Sequence, residues 1–109
     1  MRIWDLPPKQ LCNLHLLGEH RELHAIWSIL INKKKGYSKH PETLRWVGKL
    51  KALFLRHDQL VKEMEKRGFN HKSPLNIDLA TGLDFQNTYV DSFDEQIKIL
   101  KNKKCKCKF

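Results

Sequence analysis

The ten residues His15-Leu16-Leu17-Gly18-Glu19-His20-Arg21-Glu22-Leu23-His24 bring together three of the six histidines, two glutamates and an arginine, side chains able to bind a metal, move a proton or grip a phosphate. On a helix, His15, Gly18 or Glu19, and Glu22 fall along one side, while His20 and His24 share another at a spacing of four. Imidazole and carboxylate are suitable metal ligands, so His20 with His24, or His15 with Glu19, could start a metal site. Two ligands do not complete one, and no metal is expected. The plainer use of the segment is a polar helix face with charge pairs four residues apart. A further nucleophile lies outside the segment. A helix from Pro8 to Glu22 is about 21 Å long, and the seven residues before Pro8 extend to about 23 Å. The N-terminal segment can therefore run back along the helix and bring the α-amine of Met1 beside Glu22. An α-amine with a pKa of about 7.7–8.0 is partly a neutral nucleophile at pH 7, whereas a lysine near ~10.4 needs strong depression.

The elements that must position these groups are helical. Pro7 and Pro8 suit a helix entrance, where an amide has no intrahelical partner. From Lys9 to about Asn32, Cys12, Leu16, Leu23, Ile26, Trp27 and Leu30 recur at helical spacings. Lys33, Lys34 and Lys35 through His40 have no apolar period and read as a basic loop. Pro41 opens a second helix with the stripe Trp46, Val47, Leu50, Leu53, Phe54, Leu60, Val61 and Met64. Lys66 and Arg67 complement its negative end, and Gly68 stops it. Residues 69–88, with Pro74 and Gly82, form an ordered connection that Leu75, Ile77, Leu79, Leu83 and Phe85 are expected to pin to the core. Ser92 followed by Glu95 is a capping-box pattern opening a short third helix with Phe93, Ile97 and Leu100 on its apolar side. Trp27 and Trp46 are read as core. The expected architecture is all-α: one domain over residues 1–109, about three helices, an N-terminal tail folded back on the first, and a basic Lys/Cys tail from about 101.

Composition sets the class of partner. The 109 residues contain 21 Lys and Arg against 12 Asp and Glu, a net charge of +9. Such an excess suits an acidic partner, nucleic acid first among them. A chain this short has little room for a deep cofactor cavity, so its chemistry belongs near the surface. No apolar run is long enough for a membrane span, and the first residues lack a secretion signal, so an intracellular, cytoplasmic protein without membrane contact is expected. Cys12, Cys105 and Cys107 are odd in number and spaced neither for a disulfide framework nor for a zinc site.

The opening Arg2-Ile3, the block His15-Leu16 through Arg21-Glu22-Leu23, and the stretch from Lys49-Leu50 to Lys66-Arg67-Gly68-Phe69-Asn70 resemble the pyrimidine-dimer DNA glycosylases of the endonuclease V type. The resemblance covers roughly residues 1 to 72, in the family's order and spacing. It implies an all-helical glycosylase with apurinic/apyrimidinic lyase activity, acting without metal or other cofactor on cyclobutane pyrimidine dimers in duplex DNA. The family's nucleophile is the N-terminal α-amine and its acid/base group a helix glutamate; the matching positions are the Met1 amine and Glu22. The neutral amine would attack the anomeric carbon of the lesion's 5′ nucleotide and form an imine, the electron sink for β-elimination of the 3′ phosphate. Glu22 would stabilise the developing charge on the sugar and assist the proton transfers. Arg2 and Arg21 match phosphate-gripping positions, and His15 lines the site. Lys33, Lys34 and Lys35 would add affinity through counterion release.

Departures from the family pattern have consequences of their own. Members beginning Met-Thr-Arg lose the methionine, but Arg2 is too large for that removal, so a retained, deformylated Met1 keeps the register. Ala25, Ser92 and Gln96 stand where basic residues are expected, and the tail is lysine-rich instead of aromatic. The competing reading is a non-catalytic basic DNA-binding module; a third is a metal-binding protein using the helix histidines or Cys105 and Cys107. Nothing in the pattern calls for an oligomer, and a monomer is the default.

Overall fold

The computed structural model describes residues 2–33, 39–71, 73–103 and 106–109. Met1, Lys34 and Lys35 lie outside them. Among the described residues all regular structure is helical: α1 (Asn13–Asn32), a one-turn α2 (Pro41–Leu44), α3 (Leu50–Lys66) and α4 (Phe93–Asn102), with 3-10 turns at Pro8–Gln10 and Ile77–Leu79. The all-α expectation holds, with three long helices and a fourth of a single turn.

The first helix starts later than its periodicity suggests. Pro8 does sit in the first turn of a helical segment, but that segment is a 3-10 turn that ends when Leu11 becomes extended. Leu11 thereby enters the core at 2% exposure. Helix α1 then begins after Cys12 and closes at Lys33, which takes the left-handed conformation at φ 52° and donates its amide to the Ile29 carbonyl.

The expected second helix is two. Helix α2 ends at Leu44, the backbone turns through Gly48 at φ 74°, and α3 starts at Leu50. The break persists because the connection after α3 returns to cover it. The amides of Lys51 and Ala52, orphaned in the first turn of α3, donate to the carbonyls of Thr81 (2.8 Å) and Leu83 (3.0 Å), and the Leu83 amide donates to Gly48 O (3.0 Å). Only glycine fits at position 82, where a Cβ would come within 2.1 Å of Gly48 O. At its other end α3 stops as expected. Gly68 is left-handed at φ 85°, and the bonds Phe69 N to Met64 O and Gly68 N to Glu65 O (both 3.0 Å) form a Schellman motif.

Ile3, Trp4, Leu6 and Leu11, the inner face of α1, Trp46, the inner face of α3, and Leu100 of α4 form one hydrophobic cluster. Trp27 and Trp46 are core residues, as expected. The connection after α3 is not pinned as expected. Of its apolar residues Leu75 packs on the core, but Ile77, Leu79, Leu83 and Phe85 are exposed, as are Val47 and Phe93. Backbone hydrogen bonds and the Lys49 ammonium, which donates to Gln86, Asn87 and Thr88 at 2.7, 2.9 and 3.1 Å, hold that stretch instead.

Candidate active site

The N-terminal segment lies on α1. The Trp4 amide donates to Glu19 Oε1 (3.0 Å), and the Trp4 ring meets His15 edge-on with centroids 6.1 Å apart. Glu19 is held by α3: Arg56 Nε reaches Oε2 at 2.7 Å and Arg56 Nη2 reaches Oε1 at 3.0 Å, a bidentate pair. Burial pushes the Glu19 carboxyl above the ordinary range, and the Arg56 guanidinium pulls it back down. Glu19 therefore neither pairs with Arg21 nor joins His15 as a ligand; its carboxylate positions Trp4.

Arg45 fixes the rest of the segment. Its guanidinium, buried at 5% exposure, donates to Glu42 Oε1 (2.8 Å), Asp5 Oδ1 (3.1 Å), the Ile3 carbonyl (3.0 Å) and the Thr88 carbonyl (3.0 Å). Glu42 Oε1 also accepts the Ile3 amide at 3.2 Å. From α4, Gln96 accepts the Asp5 amide (2.8 Å) and donates to Asp5 Oδ2 (3.0 Å). Burial raises the Asp5 carboxyl against the opposing pull of Arg45 and the Gln96 hydrogen bond. Apart from the local Arg45–Glu42 pair, every polar group of this frame comes from a different element from the one it holds. Gln96 is thus an anchor for the N-terminal segment.

The expected site residues divide as follows. Glu22 lies one turn beyond Glu19 on α1, is half-buried, and makes no ion pair among the described residues. Arg21 is exposed, as is Lys33 at the end of α1. Arg2 packs over the Trp4 ring, 4.8 Å from its centroid, and its Nη2 pairs with Asp91 at 2.7 Å. Its carboxylate partner is on the segment before α4, not on α1. His15 is turned toward two thiols, with Nδ1 3.1 Å from Cys12 Sγ and 3.4 Å from Cys107 Sγ. Burial, and then the Lys103 charge, lower its pKa. A cleft of about 720 Å³ opens beside these thiols, between Lys9, Asn13, Glu63, Arg67 and Lys108. Neither Glu22, Arg2 nor Arg21 lines it.

Linear spacing missed Asp5, Glu42, Arg45, Arg56 and Gln96, because their partners are between 37 and 91 residues away where they cross elements. It also missed His57 and His71, which join His20 and His24 across the α1–α3 contact. The one linear signal was the count of six histidines.

The N-terminal segment of this basic chain is thus clamped along its first helix, and Glu22 stands one turn beyond the clamp with no ion pair among the described residues. The family described as pyrimidine dimer DNA glycosylase matches residues 1–77, and the chain belongs to that family. No curated protein and no solved structure matches it significantly. The stretch beyond residue 77, which includes α4, lies outside the family match. No helix among the described residues is long and apolar enough to cross a membrane.

Proposed function

We propose that this chain is a DNA repair glycosylase with apurinic/apyrimidinic lyase activity, incising duplex DNA at cyclobutane pyrimidine dimers and abasic sites through an imine formed by the Met1 α-amine. The observation that carries the reading is the hydrogen bond from Trp4 N to Glu19 Oε1. It fixes the N-terminal segment on α1 one helical turn before Glu22. Three extended residues cover about 10 Å, while Glu22 lies about 4.5 Å farther along the axis than Glu19, so the amine has the reach.

The neutral amine attacks C1′ of the lesion's 5′ nucleotide, and the glycosidic electron pair leaves with the base. Loss of an amine proton and opening of the sugar ring give a protonated imine between Met1 and C1′. Removal of a proton from C2′ then drives electrons into the imine as the 3′ phosphate leaves. Glu22 is the acid/base group for the proton transfers and, as a carboxylate, stabilises the positive charge that develops on the sugar. Arg2 and Arg21 hold flanking phosphates, Arg2 exchanging Asp91 for a phosphate oxygen when DNA binds. Lys33, with Lys34 and Lys35, adds sequence-independent affinity. A distorted duplex lowers the cost of extruding a nucleotide, which favours the lesion without many base contacts.

Borohydride trapping on duplexes carrying an abasic site or a cyclobutane dimer, with mass mapping of the adduct, tests this directly. An adduct on the Met1 amine, formed on both substrates and lost in Glu22→Gln, is the expected result. Binding with neither substrate trapped would instead make the chain a non-catalytic basic DNA-binding module.

A further inference from the structure

Four histidines from three parts of the chain converge between α1 and α3. His20 and His24 stand one turn apart on α1, His57 is buried on α3, and His71 lies just past the Gly68 stop, which turns the chain back over the helices. His57 Nε2 is 3.2 Å from His20 Nε2 and 3.0 Å from His24 Nε2. His71 packs against His20 and His57 with ring centroids 5.0 Å apart in both cases. One ring nitrogen from each of the four lies within 4.8 Å of the others.

Hydrogen bonding among the rings does not account for this arrangement. A neutral imidazole nitrogen offers either one N–H or one lone pair, directed in the ring plane. His57 Nε2 faces two nitrogens and satisfies one. His71 Nε2 is buried and, among the described residues, has no hydrogen-bond partner, a state that ordinarily costs about 1–3 kcal/mol. Burial first, then the neighbouring imidazoles, lowers His20 and His57 to about 4, and burial lowers His24 as well. A cation at the centre would accept all four lone pairs at once. With zinc–nitrogen bonds of about 2.05 Å, a tetrahedral site has its nitrogens about 3.3 Å apart, close to the two short separations.

We propose that His20, His24, His57 and His71 form a binding site for a divalent transition metal of the imidazole-preferring class, with Zn²⁺ the natural occupant. All four positions are filled by protein, so the site has the closed form of a structural metal centre rather than a catalytic one. Its effect is to tie α1, which carries Glu22, to α3 and to the chain that follows α3. The proposal departs from the metal-free expectation drawn from spacing, which had no means of bringing His57 and His71 to the helix pair. It does not depend on the glycosylase reading.

The test uses untagged full chain stripped with chelator and titrated with Zn²⁺ against a chromogenic competitor, and with Co²⁺ followed by visible absorption. One Zn²⁺ per chain, a Co²⁺ spectrum of tetrahedral intensity, and a rise in Tm on the order of 10 °C at a hundredfold excess over Kd are expected. His24→Asn and His71→Asn should each weaken Zn²⁺ binding at least tenfold, while Cys12→Ser leaves it unchanged. His71→Asn alters a ring on the segment after α3 and should keep the helical circular dichroism of the parent. Wild-type protein that takes up no Zn²⁺ at micromolar concentration would overturn the proposal. So would binding that survives both histidine changes and disappears in Cys12→Ser, which would assign the metal to Cys12, His15 and Cys107.

Discussion

Replacing Arg56 with methionine strips Glu19 of its charge partner while keeping much of the side-chain volume. The Glu19 side chain is 0% exposed and that of Arg56 10%, so solvent screens their pairing little. Among the described residues, two of the three hydrogen bonds to the Glu19 carboxylate come from Arg56. Breaking one partner of a buried pair costs about 3–5 kcal/mol, because the remaining charge stays buried. For a domain near this size that is a Tm drop of roughly 12–20 °C. The loss has a defined pH dependence. Burial raises the native pKa of Glu19, so the native chain holds this proton more tightly than the unfolded chain. The stability it contributes is full below the unfolded pKa and falls away as pH rises through the raised native value. Without Arg56, which opposes the rise, that native value moves higher still. The deficit of Arg56→Met should therefore be largest at neutral pH and shrink toward pH 5. Urea unfolding at both pH values measures it. Adding Glu19→Gln, which removes the charge but keeps an oxygen for the Trp4 amide, should recover at least half of the loss. A deficit below about 1 kcal/mol at pH 7, the range of an exposed pair, would refute the reasoning, as would a double variant no better than the single.

Gly82→Ala should cost more than about 2 kcal/mol, against about 1 kcal/mol for Gly68→Ala. Both residues have positive φ, but only at position 82 does a Cβ run into backbone, so equal losses in urea would contradict the close approach to Gly48. Ser92→Ala should destabilise by about 1 kcal/mol, since the Ser92 hydroxyl accepts the Glu95 amide at 3.2 Å and caps α4; an unchanged denaturation midpoint would remove that role. Arg45→Lys keeps the charge but cannot span Asp5, Glu42, Ile3 and Thr88 together. Amide exchange at Ile3 and Asp5 should then accelerate at least tenfold, whereas unchanged protection would mean the N-terminal segment is held without it.

The sequence by itself determined what depends on local rules. Helical periodicity located α1, α3 and α4, a proline marked the start of α2, the left-handed tolerance of glycine marked the end of α3, and a serine three residues before a glutamate marked the start of α4. These signals act within one or two turns of chain, where steric and hydrogen-bonding preferences are strong. The stretch from His15 to Glu22 stood out as a candidate site, and the length of the chain before Pro8 was enough to foresee the fold-back seen at Trp4. Tertiary structure decided the rest. The break between α2 and α3 depends on carbonyls from residues 81 and 83, which supply the helix start with acceptors it lacks locally. The same distance effect exposed Ile77, Leu79, Leu83 and Phe85: their types favour burial, but the backbone bonds that hold their segment leave those side chains facing outward. Glu19 looked like a ligand partner for His15 until Arg56 arrived from α3, and His20 and His24 looked like an incomplete pair until His57 and His71 joined them. A long-range ion pair or a four-ring cluster leaves no period in the sequence, because its geometry exists only after the helices have packed.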